Sequence, residues 1–181
     1  MAILPIVHWP HRALSTPAAP VEAFDGSLHR LIDDMAETMY AASGVGLAAN
    51  QVDRLHRVTV MDCAAEDEPS QLLEIVNPEI VGREGTLVWE EGCLSFPGLY
   101  NEVKRAARVT VRYRDRNGEA CEITGEGLLA VCLQHEIDHL DGVVFIDRLG
   151  PLGRRMALKQ WKKIEDELAR GGVAPGRRSG A

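Results

Sequence analysis

The segment from Gly127 to Leu140, GLLAVCLQHEIDHL, is apolar on most faces of any helix that it forms. This pattern predicts a helix buried in the core rather than an amphipathic helix at the surface. Two histidines and two acids within it, His135, Glu136, Asp138 and His139, would carry a heavy desolvation cost unless they are paired or bind a metal. The segment therefore predicts both the centre of the fold and a functional site.

The two histidines of this segment are four residues apart. A helix brings His135 and His139 to one face, where their imidazoles can share one ion. Glu136 then lies beside the ion and is placed to take a proton from bound water. Either histidine alone would more often be a hydrogen-bonded core residue, but the joint pattern favours a metal site.

A hydrolytic metal site usually has three protein ligands and one open position, so a third cysteine, histidine or carboxylate ligand is expected elsewhere. Cys93 follows a predicted strand and precedes a loop rich in Gly and Pro, where a thiolate can be presented. Cys132 is three residues before His135 on a similar helical face, although a free cysteine is more often a small buried hydrophobe. Spacing favours Cys93 only modestly, and both cysteines stay open as candidates.

The remaining sequence predicts an α+β fold, in which mixed or antiparallel strands pack around the central metal-binding helix between an N-terminal and a C-terminal helix. The N-terminal helix is amphipathic, is capped by Asp25 or Ser27 and ends near Ser43-Gly44. Pro151 begins the C-terminal helix. The predicted strands are 58–61, 72–76 and 86–89, and a hairpin joins 109–114 to 119–124 around Asn117-Gly118.

Composition indicates a globular protein with 181 residues, of which 45% are hydrophobic, and a formal net charge of -7. We expect one catalytic domain over residues 1–170 and a disordered tail over 171–181. The absence of a secretory signal and of a long apolar run predicts a cytoplasmic protein with no membrane partner. The acidic charge argues against sequence-specific nucleic-acid binding. The four cysteines show no paired spacing that would indicate a disulfide framework.

Basic residues cluster only late in the chain, where a solvated helix face is the simplest interpretation and ribosome contact is the alternative. They are Arg154, Arg155, Lys159, Lys162 and Lys163.

A second segment of interest is GVGLAANQ at residues 44–51. Its small residues allow a ligand to approach the backbone closely, and the amide of Gln51 can donate a hydrogen bond. Taken alone, this segment is more typical of a glycine-rich turn.

Three segments together resemble the peptide deformylase family: GVGLAANQ at 44–51, EGCLS at 91–95 and QHEIDHLDG at 134–142. The likeness covers roughly residues 3–169. It implies a hydrolase that removes the formyl group from the N-terminal formylmethionine of newly made polypeptides and releases formate. The implied partners are N-formylmethionyl nascent peptides, and the ribosome near its exit tunnel is a further candidate partner.

The resemblance also assigns roles to individual residues. Cys93, His135 and His139 are the implied ligands of one divalent metal ion, and Glu136 is the implied general acid and base. Gln51 and the backbone N–H of Leu94 are the implied donors to the oxyanion. Ferrous iron is the ion that the family favours, whereas a cysteine with two histidines suits zinc on general grounds, and nickel or cobalt could also bind.

The same resemblance implies a substrate site in which Gly46 contacts the peptide through its backbone. The implied wall of the methionine pocket consists of Val45, Trp89, Leu128, Val131 and Cys132, and this role removes Cys132 from the candidate ligands. Trp89 departs from the family pattern, since a smaller aliphatic residue is common there. The alternative to a deformylase is a non-catalytic metal-binding relative that associates with the ribosome, and a general metalloprotease is a further rival.

Overall fold

A computed structural model describes residues 2–65 and 67–172. Every pairing between its seven strands is antiparallel, and the predicted α+β class is confirmed. The elements are α1 (Gly26–Ala41), β1 (Gly46–Ala48), β2 (Val58–Met61), β3 (Leu73–Glu84), β4 (Leu87–Cys93), β5 (Phe96–Arg105), β6 (Arg108–Arg114), β7 (Ala120–Glu126), α2 (Gly127–Leu140) and α3 (Pro151–Ala169).

Helix α1 begins where the sequence predicts because Asp25 caps it. The Asp25 carboxylate accepts hydrogen bonds from the N–H groups of Ser27 and Leu28, at 2.8 and 3.3 Å. These bonds satisfy donors that have no partner within the helix. Ile32, Met35 and Met39 on its apolar face are fully buried. Helix α1 therefore covers one side of the core and leads directly into β1.

The strands form a five-stranded sheet in the order β1-β2-β3-β6-β7 and a separate two-stranded sheet of β4 and β5. The predicted hairpin is confirmed as β6 and β7. Its turn is closed by a hydrogen bond from the N–H of Asp115 to the carbonyl of Glu119 at 2.9 Å. Gly118 has φ of 87° in this turn, a conformation that glycine adopts without steric cost. β3 extends well beyond the predicted strand at 72–76.

The expected Gly/Pro loop after Cys93 is wrong, because that segment is the start of β5. The chain turns at Leu94-Ser95, and Cys93 pairs with Phe96 across this tight connection. Pro97 and Gly98 lie within β5, near its first residue, where a proline is tolerated. The sequence pattern was misleading because Phe96-Pro97-Gly98 has the composition of a turn. The correction leaves Cys93 at a strand end.

Helix α2 is buried from Ala130 to Leu140, as its apolar sequence predicts. Leu133 and Ile137 pack in one cluster with residues of β6. On the opposite side, polar side chains of α2 bond to β4 and to the start of the β5–β6 connection. The helix thus lies between the two sheets and presents its histidines to the end of β4.

A second cluster fixes β5 against α3. The ring of Phe96 lies 5.1 Å from that of Trp161 and 5.5 Å from that of Phe145, measured between centroids. α3 begins at Pro151, as predicted. Of the predicted tail at 171–181, residues 173–181 lie outside the described residues. Among the helices of the described ranges, none combines the length and the apolarity of a membrane span.

Candidate active site

Three ligand-type side chains converge where the end of β4 meets α2. One ligand atom from each of Cys93, His135 and His139 lies within 4.8 Å of the others. The sulfur of Cys93 is 3.3 Å from Nε2 of His139. Cys93 comes from the strand end, and the two histidines come from successive turns of α2. The structure therefore brings together the three residues that the sequence marked as ligands.

The chemistry of these three residues fits a divalent metal ion. One thiolate and two imidazoles form a donor set that borderline metals such as zinc and ferrous iron accept. Burial holds the pKa of His139 well below its usual value, so this imidazole stays neutral and keeps a lone pair. Burial also lowers the pKa of His135, but hydrogen bonds with Cys93 and Glu91 raise it well above the ordinary value. A metal ion bound here would take the place of the extra proton that these hydrogen bonds favour on His135.

A carboxylate that the sequence did not single out orients His135. Nδ1 of His135 donates to Glu91 at 2.7 Å, which leaves Nε2 as the nitrogen available to an ion. Nε of Arg105 donates to the same carboxylate at 2.6 Å. Burial raises the pKa of Glu91, but these hydrogen bonds prevail and hold it at about 2. Glu91 is thus an anion that fixes the tautomer of His135.

The same arginine also accounts for the second acid of α2. Nη1 of Arg105 donates to Asp138 at 2.5 Å, and Nε of Arg148 donates to that carboxylate at 2.9 Å. Asp138 therefore has the partner that its burial requires. Its position in an apolar helix was the available signal that a buried cation must exist, but nothing local identified Arg105, which is 33 residues away in sequence.

The proposed substrate residues line a single cavity of about 550 Å³ that reaches the candidate metal centre. Trp89 is half-buried on β4, and Val45, which immediately precedes β1, is 45% exposed. Tyr100 and Gly98 of β5 also line the cavity, and sequence reasoning missed them because it placed a loop there. Residues named from the sequence that line it are Val45, Gly46, Gln51, Trp89, Cys93, Leu94, Leu128, Val131, Cys132, His135 and Glu136.

The amide of Gln51 is held in a fixed orientation beside Cys93. Its Oε1 accepts a hydrogen bond from the N–H of Ala48 at 2.9 Å. Its Nε2 donates to Ser95 Oγ at 3.2 Å and lies 3.5 Å from the sulfur of Cys93. Ser95 is fully buried and was not singled out from the sequence. The N–H of Ala48 and the hydroxyl of Ser95 therefore orient the Gln51 amide so that its donor faces the candidate metal centre.

Glu136 is buried at the cavity wall, and its Oε2 has no hydrogen-bond partner among the described residues. Burial raises the pKa of Glu136 to about 7, and the charge of Glu91 acts in the same direction. A carboxyl group with such a pKa can both accept and return a proton near neutral pH. Gly46 packs directly on it, since a Cβ added there would lie 2.5 Å from Oε1 of Glu136. Any larger residue at position 46 would displace the carboxylate.

Replacing Arg105 with methionine is expected to lower the free energy of unfolding by about 3–5 kcal/mol, because the buried Glu91 loses its arginine and Asp138 keeps only Arg148. Arg112→Met is the matched control, because Arg112 pairs with Glu122 at 2.8 Å in an exposed position. The control should cost about 0–1 kcal/mol. Urea unfolding at one fixed metal concentration measures both variants. Equal losses would show that the buried network does not stabilise the fold.

Comparison with known proteins agrees with this geometry. The family model described as polypeptide deformylase matches residues 3–155. A peptide deformylase of Chromobacterium violaceum is 50% identical over 167 residues, which are 92% of this chain and 99% of that protein. The crystal structure of a peptide deformylase from Legionella pneumophila superposes with a TM-score of 0.86 at 51% identity, covering 93% of this chain and 99% of that one.

A further solved structure is that of peptide deformylase from Ehrlichia chaffeensis in complex with actinonin. It matches with a TM-score of 0.84 at 43% identity and covers 90% of this chain and 98% of that chain. The family model spans most of the sequence, and these relatives match almost from end to end. The chain belongs to the polypeptide deformylase family.

Proposed function

We propose that this protein is a metal-dependent hydrolase that removes the formyl group from the N-terminal formylmethionine of new polypeptides and releases formate. The observation that carries the proposal is the buried Glu136 carboxylate, whose Oε2 has no hydrogen-bond partner among the described residues, beside the convergent Cys93, His135 and His139. Family membership supports the same reaction. Actinonin occupies the related protein of Ehrlichia chaffeensis, which supports an accessible ligand cavity here as well.

Cys93, His135 and His139 would hold the ion. When bound there, it supplies a Lewis acid that lowers the pKa of a water molecule towards neutrality. Nδ1 of His135 donates a hydrogen bond to Glu91, which leaves Nε2 as the ring nitrogen that would face the ion. Arg105 holds Glu91 in place through hydrogen bonds to both of its carboxylate oxygens. The residues around the centre therefore prepare the ligand set.

Glu136 transfers a proton from the attacking water to the departing amine. With a pKa raised to about 7, its carboxylate takes a proton from the attacking water at Oε2 and returns it to the departing amine nitrogen. In one turnover, the C–N bond of the formyl amide breaks and a C–O bond to the attacking water forms. Formate and the free amino terminus then leave. Gly46 leaves room for this carboxylate at the cavity wall.

Gln51 stabilises the negative charge that develops on the formyl oxygen. Its Nε2 already faces the candidate metal centre and is held there by Ser95 and Ala48. We propose the backbone N–H of Leu94 as the second donor. Each donor of this kind typically contributes about 3–4 kcal/mol to the transition state.

The apolar cavity wall suits the side chain of methionine. Leu128, Val131 and Cys132 are spaced i, i+3 and i+4 along one face of α2, and Val131 and Cys132 are almost fully buried. An unbranched, polarisable thioether fills such a wall well. Gly46 is the proposed backbone contact for the peptide, because it lies next to Glu136.

A formate-release assay with a formyl-Met-Ala peptide tests the proposal. The metal-loaded protein should release formate from this peptide and none from its N-acetyl counterpart. Binding of the formyl peptide without release would support the non-catalytic relative instead. Cleavage of an internal bond in an unformylated peptide would support a general metalloprotease, whose sites rarely include a cysteine ligand.

We propose ferrous iron as the native ion, with zinc, nickel or cobalt as substitutes that the same donor set accepts. Metal analysis after anaerobic purification, together with the activity of each metal form, distinguishes them. We also propose a single catalytic domain over residues 1–170 and a cytoplasmic location, where formylated nascent peptides would meet the enzyme.

A ribosome partner has weaker support in the structure. Two of the basic residues of α3 pair within the chain: Arg154 bonds to Asp147 at 2.7 Å, and Lys162 bonds to Glu165 at 3.1 Å. These pairs reduce the positive charge that the helix offers to an acidic partner. Cosedimentation of the protein with ribosomes at several salt concentrations tests the contact.

Replacing Trp89 with leucine is expected to widen the substrate cavity and to relax its selectivity. The ratio of kcat/KM for formyl-Met over formyl-Phe peptides should fall about tenfold, because a few apolar atoms in a pocket change discrimination by about 1–3 kcal/mol. Formate release from the two peptides measures the ratio. Val88→Ala is the control, because Val88 is the neighbouring residue and is 57% exposed. A shifted ratio in the control, or none in Trp89→Leu, would contradict this role.

A further inference from the structure

Two cysteines that the proposed reaction does not use as ligands lie on the same side of the core. The N–H of Asp62 donates to the carbonyl of Val45 at 2.9 Å, so the β1–β2 pairing continues one step beyond Met61. Side chains alternate along an extended chain, and Cys63 therefore points to the same side as Met61. Met61 and Cys132 are buried in one cluster, and Cys63 packs against it.

The sulfur of Cys132 lies at the boundary between this cluster and the substrate cavity. It is 3.6 Å from the carbonyl oxygen of Val45, and a Cβ added to Gly46 would lie 2.8 Å from it. Cys132 also lines the cavity itself. A covalent change at this sulfur would therefore alter both the cavity wall and its contact with β1.

The two thiols interact with each other in an unequal way. Interaction with the Cys132 thiol lowers the pKa of Cys63, whereas interaction with Cys63 and burial raise the pKa of Cys132. Cys63 is also the more exposed of the two. A thiol with a lowered pKa and partial exposure is the one that reacts first with an oxidant. The buried Cys132 is then placed to react second.

We propose that Cys63 and Cys132 are an oxidant-sensitive pair that closes to a disulfide when the protein meets hydrogen peroxide. The Cys63 thiolate attacks one peroxide oxygen, the O–O bond breaks, and a sulfenic acid and hydroxide form. The Cys132 sulfur then attacks the Cys63 sulfur, the S–O bond breaks, and water leaves. In sum, two thiols lose two electrons and two protons, and peroxide becomes two molecules of water.

The bond changes the cavity because a disulfide requires the two sulfurs to approach to about 2.05 Å. The Cys132 sulfur therefore moves towards Cys63 and away from the cavity wall. Cys132 is three residues before the proposed ligand His135 in the same helix. This consequence rests on the proposed function. A displacement of about 1 Å near reacting groups can lower turnover up to roughly 100-fold. We expect activity to fall on oxidation and to return with dithiothreitol.

Peptide mapping of the nickel-loaded protein tests the bond without using activity. After peroxide treatment and trypsin digestion without reduction, residues 58–83 should be linked to residues 117–148. Cys121 lies in the second peptide, so Cys121→Ser should keep the link and Cys132→Ser should remove it. A link that survives in Cys132→Ser, or no link in the unsubstituted protein, overturns the proposal.

Activity then tests the effect on the cavity. Cys63→Ser should release formate as the unsubstituted protein does before oxidation, and it should show no loss that dithiothreitol reverses. If Cys63→Ser loses as much activity on oxidation and recovers it with dithiothreitol, the disulfide does not cause the loss, and this part of the proposal is overturned. If the unoxidised protein releases no formate, the proposed function fails, whereas the peptide map still decides whether the disulfide forms.

Discussion

Replacing Glu136 with glutamine should lower formate release by about 10²–10⁴-fold while the protein keeps its full metal content. Glutamine has nearly the same size, so it fits against Gly46 without moving the wall. It cannot accept the proton that the carboxylate takes, and it is not one of the three proposed ligands. Formate release and metal analysis on the same purified sample measure the two effects separately.

Glu136→Ala provides a second variant, since it removes the carboxylate and also opens space at the wall. It should lose as much activity as Glu136→Gln and also keep its metal. Metal loss in both variants would assign Glu136 to the ligand set instead of to proton transfer. Substantial turnover in the glutamine variant would show that another group carries the proton.

Local signals explain why the helices could be predicted from the sequence. Asp25 caps α1 within its own first turn, and Pro151 fixes the start of α3. α2 is apolar on nearly every face, and its burial follows from that pattern. Strand β2 and the β6–β7 hairpin likewise have short-range patterns of β-branched residues and turn residues. In each case the information lies within a few residues of the element itself.

β5 shows where such reasoning ends. Its first residues, Phe96-Pro97-Gly98, have turn composition, but the turn lies one step earlier at Leu94-Ser95. Pairing with β4 and packing of Phe96 against Trp161 determine the strand. Trp161 is distant in sequence, so no local window contains the deciding contact. The cavity residues of β5 were missed for the same reason.

Some residues of the candidate site can likewise be predicted from local sequence, and others cannot. The spacing of His135 and His139 is local, and a single helix turn explains it. The groups that support them come from separate elements: Glu91 from β4, Arg105 from β5 and Ser95 from the turn between them. Buried charge in α2 required a partner, but only the folded chain identifies Arg105. A sequence can thus predict that a buried ion pair exists without predicting its members.

Replacing Cys93 with serine is the change that we expect to affect metal binding most. A serine hydroxyl is a far poorer ligand than a thiolate for a borderline divalent ion. Loss of an outer contact to a ligand typically costs 10–100-fold in metal affinity, so loss of a ligand itself should cost more than roughly 100-fold. Metal competition against a chelator measures the affinity directly, and formate release should fall with the metal content.

Cys132→Ser is the matched control, because it makes the same chemical change within the same cavity. The sulfur of Cys132 contacts the carbonyl of Val45, whereas that of Cys93 lies 3.3 Å from Nε2 of His139. The control should keep its metal and lose activity only through the substrate pocket, as a higher KM. Equal metal loss in both variants would contradict the assignment of Cys93. Metal loss in Cys132→Ser alone would restore the alternative that spacing along α2 leaves open.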